Sequence, residues 1–126
     1  MDNTNYTILI VEDNEMNRDI LQRRLSKLGF KTKTAVDGYI GLQTAVESLP
    51  SLIIMDINLP GIDGNEVTKR LKADEKTKHI PILALTAHAR AEEREVIMKS
   101  GCDEFETKPV EFSRLVSKIN TLLGIK

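Results

Sequence analysis

Three short runs in this chain are apolar throughout: Ile8-Leu9-Ile10-Val11, Leu52-Ile53-Ile54-Met55 and Ile82-Leu83-Ala84-Leu85. Successive strand residues point to opposite faces, so a strand with one face in water alternates apolar and polar side chains. A strand that does not alternate must be covered on both faces, as in a parallel sheet between two layers of helices. Helical patterns fall between the runs. Ile20, Leu21, Leu25 and Leu28 make one stripe, closed by Gly29 as a C-cap. Asp37 to Ser48 carries Ile40, Leu42, Ala45 and Val46, with Leu49 just beyond, and stops at Pro50. Asn65 to Ala73 carries Val67 and Leu71, and Arg90 to Ser100 carries Val96 and Ile97 before Gly101. Phe112, Leu115, Val116, Ile119, Leu122 and Leu123 form the most regular stripe. Two weaker strands complete the pattern. Lys31 to Val36 alternates Lys-Thr-Lys-Thr, and lysines on an exposed strand discourage further pairing, which places it at a sheet edge. Asp103 to Thr107 holds Phe105 between acids and forms the other edge.

The order is strand then helix, five times over. Strict alternation predicts a doubly wound parallel α/β sheet with right-handed crossovers. The expectation is a single domain over residues 1–126, with its core spanning about 7–124 and no output domain. A chain of this size buries a core without disulfides or structural metal. The formal net charge of −1 leaves no basic excess to neutralise phosphates, which argues against a nucleic-acid partner. Cys102 is the only cysteine and cannot form an internal disulfide, which fits a reducing compartment. No basic leader precedes the first apolar run, and no stretch approaches the roughly 20 apolar residues of a membrane helix. The expected location is the cytoplasm.

Ligands of such sheets bind outside the carboxyl ends of the strands. The first strand is followed there by Glu12, Asp13 and Asn14, the third by Asp56, the fourth ends at Thr86, and the fifth runs into Lys108 and Pro109. Three carboxylates, a hydroxyl and an ammonium therefore converge on one edge. Like charges about 5 Å apart at an effective dielectric near 20 repel by roughly 3 kcal/mol per pair. Lys108 offsets part of this, and a divalent cation would offset more: an all-oxygen site with two or three carboxylates suits Mg²⁺, with Mn²⁺ able to substitute. Asp56 could then use one oxygen on the metal and the other as a nucleophile towards phosphorus, forming an aspartyl phosphate. Lys108, Thr86 and the metal would meet the phosphoryl oxygens.

The set Glu12-Asp13, Asp56 within "MDINLPGIDG", Thr86-Ala87 and Lys108-Pro109 resembles the receiver domain of two-component response regulators, strand for strand over essentially the whole chain. The resemblance implies a flavodoxin-like (βα)5 fold with strand order 2-1-3-4-5. It implies that Asp56 accepts a phosphoryl group from a sensor or hybrid histidine kinase, or from a histidine phosphotransfer protein. Asp13, Asp56 and the backbone carbonyl of Asn58 would ligate Mg²⁺, with Glu12 acting through a water. Lys108 would pair with the phosphoryl group, and its bond to Pro109 would be cis. Thr86 and Phe105 would be the switch residues, and Asn58 and His88 would tune the phosphoryl lifetime. The fourth helix, fifth strand and fifth helix would present the signalling face to a downstream protein. Such a protein is not an enzyme in the usual sense; it promotes its own phosphorylation and dephosphorylation. It is expected as a monomer, with dimerisation on phosphorylation left open. "DINLPGIDG" with "PILALTAHA" is similar to receivers of hybrid kinases and phosphorelays.

Plainer readings compete residue by residue. Asp63, before Gly64, suits a helix N-cap, and Glu12, Asp13 or Asn14 could cap the first helix. Phe105 could simply pack. His79 and Cys102 carry no chemistry on this reading, and Lys69, Arg70 and Lys72 form a solvated helix face. Three other functions remain. A haloacid-dehalogenase-like phosphatase also uses a strand-end Asp, Mg²⁺ and Lys, but wants a second acid where Asn58 stands. A flavodoxin-like cofactor binder lacks its phosphate loop and a Trp here. A degenerate receiver would lack a key side chain, and none is missing.

Overall fold

In a computed structural model, which describes residues 3–87 and 90–125, the uniformly apolar runs are the inner strands. The elements alternate: β1 (Thr7–Val11), α1 (Glu15–Lys27), β2 (Lys31–Ala35), α2 (Gly38–Ser48), β3 (Leu52–Asp56), α3 (Gly64–Ala73), β4 (Ile82–Thr86), α4 (Ala91–Lys99), β5 (Glu104–Thr107) and α5 (Phe112–Leu123). All strand pairs are parallel. The order is β2-β1-β3-β4-β5, the flavodoxin-like arrangement, with both weaker strands at the edges.

The inner strands feed two cores because their side chains alternate between two covered faces. Leu9, Val11, Ile53, Met55 and Ala84 join Ala45, Val67, Leu71 and Ile97 from α2, α3 and α4. Ile8, Ile10, Ile54, Leu83 and Leu85 join Leu21, Leu25, Leu115 and Ile119 from α1 and α5. Each Val, Leu, Ile or Met side chain among them, taken fully from water, contributes about 1.5–3 kcal/mol.

The helices bury narrower stripes than their apolar residues suggest. Neighbouring residues on a helix point about 100° apart, so one of an adjacent pair can face the sheet while the other points to solvent. Leu21 is buried while Ile20 is 47% exposed, and Ile97 is buried while Val96 is 51% exposed. In α2, Ala45 is buried, but Ile40, Val46 and, just past the helix, Leu49 are exposed.

The ends follow local chemistry. Asn14 caps α1 by accepting from the Asn17 N–H at 2.9 Å, Asp37 caps α2 through the Ile40 N–H at 2.8 Å, and Asp63 caps α3 through the Glu66 N–H at 2.9 Å. Asp37 thus lies just outside α2, and Glu12 is released from capping. Gly29 takes φ +95° after α1, a conformation that costs glycine little.

Lys72 departs from the expected solvated face. Its ammonium donates to the Ile80 carbonyl at 2.8 Å and to Asp103 at 2.9 Å, tying α3 to the segments that lead into β4 and β5. Lys69 and Arg70 are exposed as expected. Cys102 is buried, and burial, followed by the charge of Asp103, pushes its thiol up to about 11. It is therefore a poor nucleophile. No helix among the described residues is long and apolar enough to cross a membrane.

Candidate functional site

Register brings the site together. Val11 pairs with Met55, Asp56 with Leu85, and Thr86 with Thr107. The residues that follow or close β1, β3, β4 and β5 therefore lie along one sheet edge. The backbone beyond the strands stays tied: the Glu12 N–H donates to the Ala35 carbonyl at 3.1 Å, and the Lys108 N–H to the Thr86 carbonyl at 2.8 Å. Arg18, on α1, donates to the Glu12 carbonyl at 3.0 Å and fixes the acidic turn from outside.

Carboxylate oxygens of Glu12, Asp13 and Asp56 lie within 4.8 Å of one another. Glu12 is 1% exposed and Asp56 1% exposed, while Asp13 is exposed to solvent. The Lys108 ammonium sits 3.1 Å from Glu12 Oε1 and 3.2 Å from Asp56 Oδ1. Asp56 Oδ1 also accepts from the Asn58 N–H at 3.2 Å, and Glu12 Oε2 from the Asn14 N–H at 3.3 Å. The Lys108 ammonium is thus shared between two buried carboxylates, with the third acid, Asp13, close by. Burial, and then the hydrogen bond and charge of Asp56, push Glu12 up to about 7 even with Lys108 beside it. For Lys108 the balance runs the other way: burial would lower it, but Asp56 and Glu12 outweigh burial and raise it. A partly exposed cluster with more negative than positive charge, made of oxygen ligands, fits a hard divalent cation.

Gly64 is needed beside Asp56. A Cβ at this position would collide with the Asp56 carbonyl and come within 2.8 Å of the Ile57 Cα. Without one, the Gly64 N–H donates to the Ile57 carbonyl at 3.0 Å and α3 starts directly behind the acid. On the other side a groove of about 490 Å³ runs from Glu12 and Lys108 past Ile20, Leu21, Val110 and Phe112. The Lys108–Pro109 bond is cis, as the resemblance implied.

The structure therefore gathers Glu12, Asp13, Asp56 and Lys108, with Asn58 against Asp56. Thr86 is 2% exposed at the end of β4, next to this group. Phe105 stands apart from the acids: it pairs with Ala84 across the sheet, is half-buried, and faces Arg94 and Lys118. His88 lies outside the described residues. One buried charge goes unmarked in the sequence reading: Glu106 is 4% exposed and pairs with Arg114 and Lys118. Its signal was an acid inside a strand, with two cations spaced four apart on the helix that follows.

The chain is similar to known proteins in sequence and fold. The response regulator receiver domain family matches residues 8–120. The polar-differentiation response regulator DivK of Brucella ovis is 40% identical over 118 residues, spanning 94% of this chain and 96% of that protein. The receiver domain of a sensor histidine kinase from Pseudomonas aeruginosa, solved with a magnesium ion coordinated in its active-site cleft, superposes with a TM-score of 0.88 at 31% identity, covering 94% of this chain and 98% of that one. The chemotaxis response regulator CheY4 of Vibrio cholerae gives 0.88 at 27% identity, with 94% and 98% covered.

Proposed function

We propose that this chain, which belongs to the response regulator receiver domain family, is a switch that accepts a phosphoryl group on Asp56. The observation that carries the reading is the buried Asp56 carboxylate, 3.2 Å from an ammonium and grouped with two further acids at the sheet edge. An Asp56 oxygen attacks phosphorus of a phosphohistidine donor, and the new O–P bond replaces the N–P bond. The bonding pair leaves with the imidazole, which takes a proton from solvent.

The residues of the chain have separate tasks. Lys108 lies where it can pair with an equatorial phosphoryl oxygen as charge develops there. Thr86 offers a hydroxyl at the end of the neighbouring strand. The Asn58 N–H holds one Asp56 oxygen, which orients the other. Asp13, Asp56 and the Asn58 carbonyl would hold Mg²⁺, with Glu12 acting through a water, and the ion would supply the positive charge that three acids and one lysine leave wanting.

The donor is a histidine kinase or a histidine phosphotransfer protein, and the groove beside Glu12 and Lys108 gives its imidazole an approach. The α4–β5–α5 face, with Phe105 at its centre, would then meet a downstream protein. The test is intact mass after incubation with Mg²⁺ and acetyl phosphate, with Asp56→Asn as control. A base-labile phosphoryl adduct on the wild type alone is the expected result. Steady release of phosphate with no adduct would point to a phosphatase instead.

A further inference from the structure

The β5–α5 edge carries buried charge that phosphoryl transfer does not use. Arg114 Nε donates to Glu106 Oε2 at 2.9 Å, and Lys118 Nζ lies 3.1 Å from the same oxygen. The Lys118 ammonium also donates to the Phe105 carbonyl at 2.7 Å and stands 3.6 Å from Glu104. It lies 5.7 Å from the centre of the Phe105 ring. Arg94 reaches the same ring from α4, with its guanidinium carbon 5.6 Å from the centre. A half-buried aromatic is thus flanked by cations from two helices, and an almost fully buried glutamate fixes one of them.

We propose that Glu106, Arg114 and Lys118 form a clamp that holds Phe105 and α5 in the arrangement seen here, in which Lys108 pairs with the Glu12 and Asp56 carboxylates, with Lys118 the positioning residue for the ring. The inference rests on the switch reading above. Moving the ring gives up contacts with two cations, both of which attract its face. Shifting α5 along β5 separates Lys118 from the Phe105 carbonyl and from Glu106 together. Arg114 shares the Glu106 carboxylate and keeps it anchored, so its own effect on the ring is indirect. A contact present in one conformer and absent from another opposes any ligand that selects the second. The clamp therefore sets how much phosphoryl binding is spent on switching rather than on occupancy.

The experiment uses the full chain with fluorinated phenylalanine. Phe105 is one of three phenylalanines, so its ¹⁹F resonance is assigned by replacing it. Beryllofluoride with Mg²⁺ serves as the phosphoryl mimic, and the midpoint of the Phe105 shift is read. Lys118→Met keeps the apolar stem and removes the charge; its midpoint should fall about three- to tenfold, with the resting resonance already displaced towards the bound position. Glu106→Gln should give a smaller decrease in the same direction, and Lys118→Arg should restore the wild-type midpoint. A shifting wild type with an unchanged midpoint in both Lys118→Met and Glu106→Gln overturns the clamp, even where thermal stability drops. A wild type that binds the mimic without moving the Phe105 resonance overturns the clamp and the role of Phe105 together, while leaving Asp56 as acceptor. A wild type that does not bind the mimic at all overturns the switch reading itself.

Discussion

Glu12 and Glu106 are both buried, both belong to the carboxyl half of the sheet, and both have a lysine at 3.1 Å. Their environments drive them in opposite directions. Glu12 shares Lys108 with Asp56, beside Asp13, and is pushed up to about 7 by burial and by Asp56. Burial would raise Glu106 as well, but hydrogen bonds from Arg114, the Thr107 N–H and Lys118 outweigh it and hold the carboxyl below its ordinary value. The difference is the ratio of cations to acids. A buried carboxylate with enough partners is a structural element; one with too few is a place where the molecule gains by adding positive charge. The first ties α5 to β5, and the second stands at the site proposed for phosphoryl transfer.

The largest effect that would break this contrast comes from stripping Glu106 of its cations. Arg114→Met combined with Lys118→Met leaves a buried carboxylate unpaired, and should destabilise the chain by about 3 kcal/mol at pH 7. Chemical denaturation should show much of that loss recovered at pH 4, where the carboxyl protonates. An equal loss at both pH values would mean that packing of the side-chain stems, rather than charge, holds α5.

The pH dependence of the two acids differs in sign. Glu12 has a folded value of about 7 against an ordinary 4.5, so between these values the folded chain holds a proton that the unfolded chain has released. Metal-free stability should therefore fall as pH rises through that window, by on the order of 2 kcal/mol from this group. Glu106 is lowered, so its contribution is present above its ordinary value of 4.5 and is lost as pH falls below it. Unfolding curves across pH 3–8 should peak near the ordinary glutamate value, and Glu12→Gln should flatten only the upper arm. A rise in wild-type stability from pH 5 to 7 would contradict the assignment.

The smallest effect concerns Asp13. It is exposed, so water screens its repulsion. Asp13→Asn should stabilise the metal-free chain by about 1 kcal/mol in equilibrium unfolding. A loss of stability would show that Asp13 is held by favourable contacts, not crowded by its neighbours.

Much of this was legible in the residues. The non-alternating runs identified the central strands because burial on both faces removes alternation. Glu12, Asp13, Asp56, Thr86 and Lys108 could be placed together because a parallel sheet aligns the residues after its strands. Three features were not legible. Ile20 and Val96 lie within apolar stripes, but each stands beside a residue that takes the sheet-facing position, and only the helix's rotation decides which one does. Lys72 read as surface because its partners, the Ile80 carbonyl and Asp103, meet it only after α3 has packed. Glu106 is not marked by the residues because acids on either side of Phe105 in an edge strand suggest solvent, and its burial depends on α5 laying Arg114 and Lys118 across it.

The acids at the sheet edge are short of positive charge, which a divalent cation would supply. Thermal unfolding of wild type and Asp13→Asn, each with and without Mg²⁺, tests this most directly. The wild type should gain about 2.7 kcal/mol when Mg²⁺ reaches a hundred times its Kd, and Asp13→Asn should gain far less at the same concentration. A wild-type melting temperature that Mg²⁺ does not move, or an equal gain in both proteins, would contradict the account.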